Sequence, residues 1–336
     1  MTAPASAPGA PGAPSAPGAS APSAPGDASG DPPLVTAIVG AWSAAEFLTE
    51  TLDSLAAQTW PNLEILIADD ASPDATYDVA QAWAAAQRAD GPQVRVRRRE
   101  RNLGWPANLN RMAESEARGE MMFWAFHDDL VEPDYVEALA RLLLAEPRAA
   151  LAYSDMERSD LDGTVKVWTF DAPPPSAGRA PLMGRLCDPD GFDGAWGVPN
   201  RGLFRASAFQ RAGGMRRHAA GAFFSDWAWL MRMAGEGVFV REARVLCRKR
   251  YMDTSVSVDW DYAHENCMAV ARLAKDQLRE TDLGRLDRLR VGAAIDVFMT
   301  MPGRRNTRFW DTLKAGDPQL PYRLKLRLAK VLRETG

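Results

Sequence analysis

A chain of 336 residues, 46% of them hydrophobic and 25% charged, can bury a large core and has the ordinary balance of a soluble globular protein. A net charge of −4 supplies no basic surface, so no nucleic-acid partner is expected. Three widely spaced cysteines (Cys187, Cys247, Cys267) exclude a disulfide framework and a zinc-ligand spacing, and point to a reducing compartment. No apolar run reaches the roughly 20 residues that a membrane span needs.

Residues 1–33 are an Ala/Pro/Ser/Gly tract without Lys or Arg, too poor in apolar side chains to order itself. A disordered tail is expected, and without a positive start or an apolar core it does not read as a secretory signal. Order begins at Leu34. Residues 34–39 (LVTAIV) read as a β-branched strand, 44–58 as a helix with Phe47, Leu48, Leu52 and Leu55 at helical spacing, and 64–68 (EILIA) as a buried strand. A helix over 74–88, an alternating strand over 93–97, a turn at 102–106, a helix over 107–117 and an unbroken apolar strand over 121–126 follow. This β-α-β-α-β-α-β order predicts a parallel sheet flanked by helices, with right-handed crossovers.

Two of these strands run into paired acids, Asp69-Asp70 and Asp128-Asp129. Ligands of α/β sheets lie outside the carboxyl ends of the strands, and adjacent carboxylates stay ionised with water or a cation beside them. Hard oxygen ligands of this kind suit Mg²⁺ or Mn²⁺ bridging to phosphates. The competing reading is that these acids cap the helices that follow them, over 74–88 and 133–145. GxGxxG, the P-loop pattern and a glycine-rich triphosphate cradle are all absent after the first strand, where Gly40-Ala41-Trp42-Ser43 stands instead.

The segments VTAIVGAWSAAEFLTETLDSLAAQTW and EILIADDASPDAT, the N-x-G…N set Asn102, Gly104 and Asn110, and FHDDLVEPDYVEAL together resemble family 2 glycosyltransferases of the GT-A fold. The likeness runs on through Gly213-Gly214 and SDWAWLMRMAGEG (225–237), and weakly through 248–257. It implies an α/β GT-A domain, mostly parallel and flanked by helices, that moves a sugar from a nucleotide-diphosphate donor to an acceptor hydroxyl with inversion. By the same resemblance Ala41 and Trp42 line the base pocket, and Asp69, Asp70, Asn102, Gly104, Asn110 and Asp128 serve the nucleotide sugar. Asp128 and Asp129 hold Mn²⁺ or Mg²⁺, and Asp226 is the general base. Phe126, Gly40, Ser225 and Met252 depart from the family's usual residues. Those departures keep a catalytically degenerate sugar-nucleotide-binding protein open as an alternative; a sugar nucleotidyltransferase is the weaker rival.

Residues 161–197 read as a long irregular segment near the site, with Trp196 a candidate to stack on an acceptor sugar. A helix is read over 227–234, with Asp226 as its candidate N-cap, and helical segments over 263–299. Residues 322–333 (YRLKLRLAKVLR) form a basic amphipathic helix, with Leu324, Leu328, Val331 and Leu332 on one side, suited to docking on the core or to touching anionic lipid. The expected organisation is a tail over 1–33, a GT-A domain over 34–258 and a helical extension over 259–336. The expected acceptor is a glycan or a lipid-linked glycan in polysaccharide biosynthesis, and the expected location is the cytoplasm or the inner face of the membrane.

Overall fold

The computed structural model describes residues 31–159, 163–188, 195–250 and 260–299, with positions 324, 325, 327, 328, 330 and 331. The readings made for residues 1–30, for Met252 and for most of 322–333 lie outside the described residues. Within the unit that begins at Pro32, the carbonyls of Pro32 and Pro33 already accept hydrogen bonds from Asn62 Nδ2 (2.8 Å) and Trp60 Nε1 (3.0 Å), so ordered backbone starts just ahead of Leu34.

The first half is the expected alternation. Strands β1 (Val35–Ala41), β2 (Leu63–Asp69), β3 (Gln93–Arg98) and β4 (Met121–Trp124) alternate with helices α1 (Leu48–Ala56), α2 (Thr76–Ala85) and α3 (Trp105–Ser115). β1 and β2 are near-continuous runs of aliphatic side chains because each is covered on both faces, as a parallel sheet requires. Trp105 and Pro106 open α3 after Gly104, whose φ of 81° lies in a region that favours glycine.

Next come β5 (Asp129–Val131), α4 (Tyr135–Ala145), β6 (Ala149–Ser159), β7 (Val165–Trp168), α5 (Arg179–Leu186), β8 (Leu203–Arg205), α6 (Ala206–Ala212), α7 (Ser225–Glu236), β9 (Val238–Arg250), α8 (His264–Arg279) and α9 (Arg285–Met299). Among the described residues these strands make one nine-stranded sheet in the order β3-β2-β1-β4-β8-β6-β9-β5, with β7 added on β6.

The pairings of β1 with β2 and β4, of β2 with β3 and of β6 with β9 are parallel. Those of β4 with β8, β5 with β9, and β6 with β7 and β8 are antiparallel. The sheet is therefore mixed, with its longest pairings parallel and its short ones antiparallel. Three-residue β8 reverses direction between the two halves, and no local periodicity in so short a strand announces it. The stretch read as irregular over 161–197 contains β7 and α5.

The strand order places β4 against β1 on the side opposite β2. The chain thus winds outward from β1 through β2 to β3 and then returns to the other flank of β1. This makes a switch point between β1 and β4, and α/β sheets bind ligands in the crevice at the carboxyl ends of such strands.

Beneath it lies an aromatic core in which Trp124 meets Phe204 (centroids 4.9 Å) and Trp229 (5.4 Å). Helix α7 is nearly all buried, and Trp227 stacks on Phe298 of α9 at 5.1 Å. The helices after residue 259 thus share one core with the sheet. Lys325, fully buried, lies 3.3 Å from Asp296, whereas Leu324 and Val331 are exposed. At these positions a cation rather than the apolar stripe faces inward. Among the described residues no helix is long and apolar enough to cross a membrane.

Candidate active site

β1 delivers Ala41, buried, and Trp42, half exposed, to the switch point. The turn that follows is bound to the turn after β2. Asp70 N–H donates to Ala41 O (2.8 Å), Ser43 N–H to Ser72 Oγ (3.0 Å) and Ala44 N–H to Thr76 Oγ1 (2.8 Å). Ser43, Ala71 and Phe224 are the non-glycine residues with positive φ among the described residues. Each directly precedes or follows a site segment, and strained backbone of this kind collects at functional sites.

The first acid pair is spent on these loops. Asp69 is fully buried, accepts from Ser72 N–H and pairs with Arg98 at 3.4 Å. Asp70 gives one oxygen to Leu103 N–H and the other to Gly104 N–H, both at 2.9 Å. Asn102 folds its own side chain onto Gly104 N–H (2.8 Å). Asn110 donates to Met215 O (2.7 Å) and accepts from Met215 N–H (2.8 Å), which pins the 213–215 turn onto α3. The side chains of Asp69, Asp70, Asn102 and Asn110 thus hold backbone amides and carbonyls of the loops after β2 and before α3 and of the 213–215 turn. Asp70 caps no helix; the carboxylate that accepts an amide at the start of α2 is that of Asp74, just ahead of the helix, on Thr76 N–H.

The second acid pair is split. β4 ends at Trp124, not Phe126, and Asp129 opens β5, directly opposite Lys249 of β9. A strand turns successive side chains to opposite faces, so the two carboxylates part company. Asp129 is buried, with Oδ2 2.9 Å from Arg201 Nε and Oδ1 without a partner. Burial raises its pKa and Arg201 opposes that shift.

Neither acid caps α4, which begins after Asp134. Asp128 is partly exposed, and among the described residues no hydrogen bond or ion pair reaches its carboxylate; its backbone carbonyl accepts from Arg250 Nε (2.9 Å). His127 lies beside it with Nδ1 3.2 Å from Gly40 O, a carbonyl acceptor that makes Nδ1 the donor and ties the end of β4 to β1.

Asp226 lies within the first turn of α7, two residues past Phe224, rather than serving as the N-cap. Its Oδ1 accepts Trp227 N–H and its Oδ2 accepts Asn200 Nδ2, each at 2.9 Å. Burial raises its pKa above the usual carboxylate range, while the Trp227 amide, Arg201 and Lys249 pull it down. Arg201 and Lys249 are also the cations that act on Asp129. Burial, with Arg201 beside it, lowers the Lys249 ammonium to about 8. The charges of Arg201 and Lys249 thus bear on both Asp129 and Asp226. Trp196, partly buried, rests on Phe224 with centroids 5.5 Å apart.

Asn200 and Arg201 sit in the 3-10 turn Pro199–Arg201. Sequence reasoning missed both, because they close a segment that carries no periodicity and no motif.

Asp128 offers one uncommitted hard oxygen donor group, and no cluster of three or more potential metal ligands occurs among the described residues. That fits a Mg²⁺- or Mn²⁺-type ion, which takes one or two protein carboxylates and completes its shell with substrate phosphate and water. It does not fit an all-protein metal cage.

The model of the family described as Glycosyl transferase family 2 matches residues 36–181. A putative glycosyltransferase, EpsH of Bacillus subtilis (strain 168), is 34% identical over 111 residues, which are 33% of this chain and 30% of that protein. The chondroitin synthase of Pasteurella multocida (strain Pm70) is 29% identical over 133 residues, 40% of this chain and 13% of that protein. The matched stretch is thus about a third or less of either relative's length. Among solved structures, S. aureus TarS 1-349 in complex with UDP-GlcNAc is similar with a TM-score of 0.66 at 16% identity, covering 89% of this chain and 88% of that one. A mannosyltransferase from Pyrobaculum calidifontis, in complex with GDP-Man and Mn²⁺, gives 0.50 at 16% identity, covering 93% and 91%. At such identities the structural likeness shows a shared fold.

Proposed function

Residues 36–181 match the model of glycosyl transferase family 2 and the chain has the GT-A fold, and from that premise we propose that it is a member of that family and transfers a sugar from a nucleoside-diphosphate donor to an acceptor hydroxyl, with inversion. The observation that carries this reading is the uncommitted carboxylate of Asp128 at the β1/β4 switch point, with Asp226 reaching the same pair of cations from α7.

In this reading Ala41 and Trp42 line the pocket of the base. Asp69, Asp70, Asn102, Gly104 and Asn110 serve the donor by fixing the rim, with Asp70 holding the 102–104 loop through both oxygens. Asp128 holds the cation, which when bound neutralises charge on the departing diphosphate. Asp129, paired with Arg201, secures the strand beneath. Arg201 and Lys249 add positive charge where the leaving group collects negative charge. The acceptor oxygen attacks the anomeric carbon as the carbon–phosphate-oxygen bond breaks on the opposite face, and Asp226 takes the hydroxyl proton. Trp196, part-buried against Phe224, is the side chain proposed to stack on a sugar acceptor, glycan or lipid-linked glycan.

Titration with UDP-GlcNAc and GDP-mannose in Mn²⁺, followed by thermal shift and calorimetry, tests the donor half. A ligand bound only by the folded state raises the Tm. Asp128→Asn is expected to keep the fold and weaken Mn²⁺-dependent donor binding by ~10-fold or more, the loss of one charged ligand. Unchanged metal-dependent affinity in that variant would remove Asp128 from the site.

A further inference from the structure

Asn200 is 1% exposed, sits in a closely packed turn, and meets Asp226 at 2.9 Å. Pro199 fixes the start of the turn, and Gly202 closes it with its amide on Pro199 O (2.9 Å). A Cβ on Gly202 would lie 2.5 Å from Ala152 O, so only glycine lets the turn settle against β6. The next side chain, Arg201, is pinned to Asp129 at 2.9 Å, and its carbonyl accepts from the Tyr135 hydroxyl. The orientation of the Asn200 amide is not in doubt chemically, because a carboxylate accepts only, and the NH₂ end must face it.

The other end of the amide, Oδ1, is buried without a partner. A buried amide that is half satisfied costs stability compared with an apolar residue of the same shape. The Asp226 carboxylate that this amide meets keeps partial exposure. The arrangement is therefore unfavourable for packing and makes sense at the carboxylate.

We propose that Asn200 is the positioning residue of the general base: its side-chain N–H holds Oδ2 of Asp226 while the α7 amide of Trp227 holds Oδ1, so that the carboxylate keeps one rotamer and its remaining lone pairs point out to the acceptor proton. This rests on the transfer reading above.

The hydrogen bond also favours the ionised form, which alone acts as a base. The charged groups that face Asp226 are Arg201, from the same turn, and Lys249, from β9; both lower its pKa and burial raises it. Removing the Asn200 donor takes away one stabiliser of the carboxylate, so the pKa rises and the acid limb of turnover moves to higher pH. A purely structural role for Asn200 would instead lower turnover equally at every pH.

The experiment follows Asp226 by ¹³C-carboxyl NMR, assigned with Asp226→Asn. In parallel it records turnover of UDP-GlcNAc and GDP-mannose with Mn²⁺ against pH, read as released nucleoside diphosphate. For Asn200→Ala the Asp226 pKa and the acid limb are expected to rise together by about one to two units, the size of a hydrogen bond to a charged group. On the limb this appears as a loss of ~10-fold or more that recovers to within about twofold of wild type on the alkaline side, with donor KM nearly unchanged.

Asn200→Asp keeps the volume and decides the matter if the alanine variant does not fold. It sets a second carboxylate against the first, the two share a proton, and the limb moves further up. An unmoved Asp226 titration, or a loss independent of pH, overturns the positioning role while leaving the transfer reading intact. A wild type that turns over neither donor, or an Asp226→Asn variant as active as wild type, defeats the transfer reading, and the positioning role falls with it.

Discussion

Replacing Asp226 by Asn is expected to lower kcat by roughly 10²–10⁴-fold, the worth of general base catalysis, while donor affinity stays close to wild type. The base is needed when the acceptor attacks and not when the donor binds. The residues proposed to frame the donor pocket (Trp42, the loop held by Asp70, and Asp128) follow β1, β3 and β4, whereas Asp226 arrives on α7. Asn is isosteric and still offers an oxygen to the surrounding donors, so the fold should persist. Turnover at saturating donor and Mn²⁺, set beside calorimetric donor affinity, separates the two steps. An Asp226→Asn protein that unfolds, yet turns over normally per folded molecule, would make Asp226 a structural residue of the first turn of α7.

The second large effect is on stability. Arg201→Ala leaves Asp129 buried, with Oδ1 already unpartnered and its ion pair with Arg201 gone. Breaking a buried pair from one side costs ~3–5 kcal/mol, because a carboxylate is left in a poorly solvating site. Part of the loss is the cation–π contact of the guanidinium, 4.5 Å from the Phe126 ring centroid. Chemical denaturation measures it. The joint change of Arg201→Met and Asp129→Leu is expected to recover most of the loss, since apolar groups of similar volume often replace a buried ion pair at little cost. A single Arg201→Ala variant that lost less than about 1 kcal/mol would show that water reaches Asp129, and that its burial is not what holds β5 to the core.

The chain itself determined the first half of the fold. The aliphatic runs of β1 and β2, the helical spacing of α1 and α2, and the acids closing β2 and following β4 are all local patterns, and local patterns decide strand, helix and crossover. They also directed attention to the segments after β1 and β4, where Trp42 and Asp128 lie and where His127 is tied to Gly40. What the sequence left open was the use of each polar side chain.

Asp128 and Asp129 are equivalent in sequence. They part because Asp129 pairs with Lys249 in an antiparallel strand some 120 residues away. Asp70 faces Leu103 and Gly104, Asn110 faces Met215, and Asp226 faces Asn200, each set by a turn delivered from a distant segment. Whether a carboxylate binds a ligand or a backbone amide depends on which partner fills its lone pairs at hydrogen-bonding distance. That is a property of the packed chain, and no spacing along the sequence encodes it.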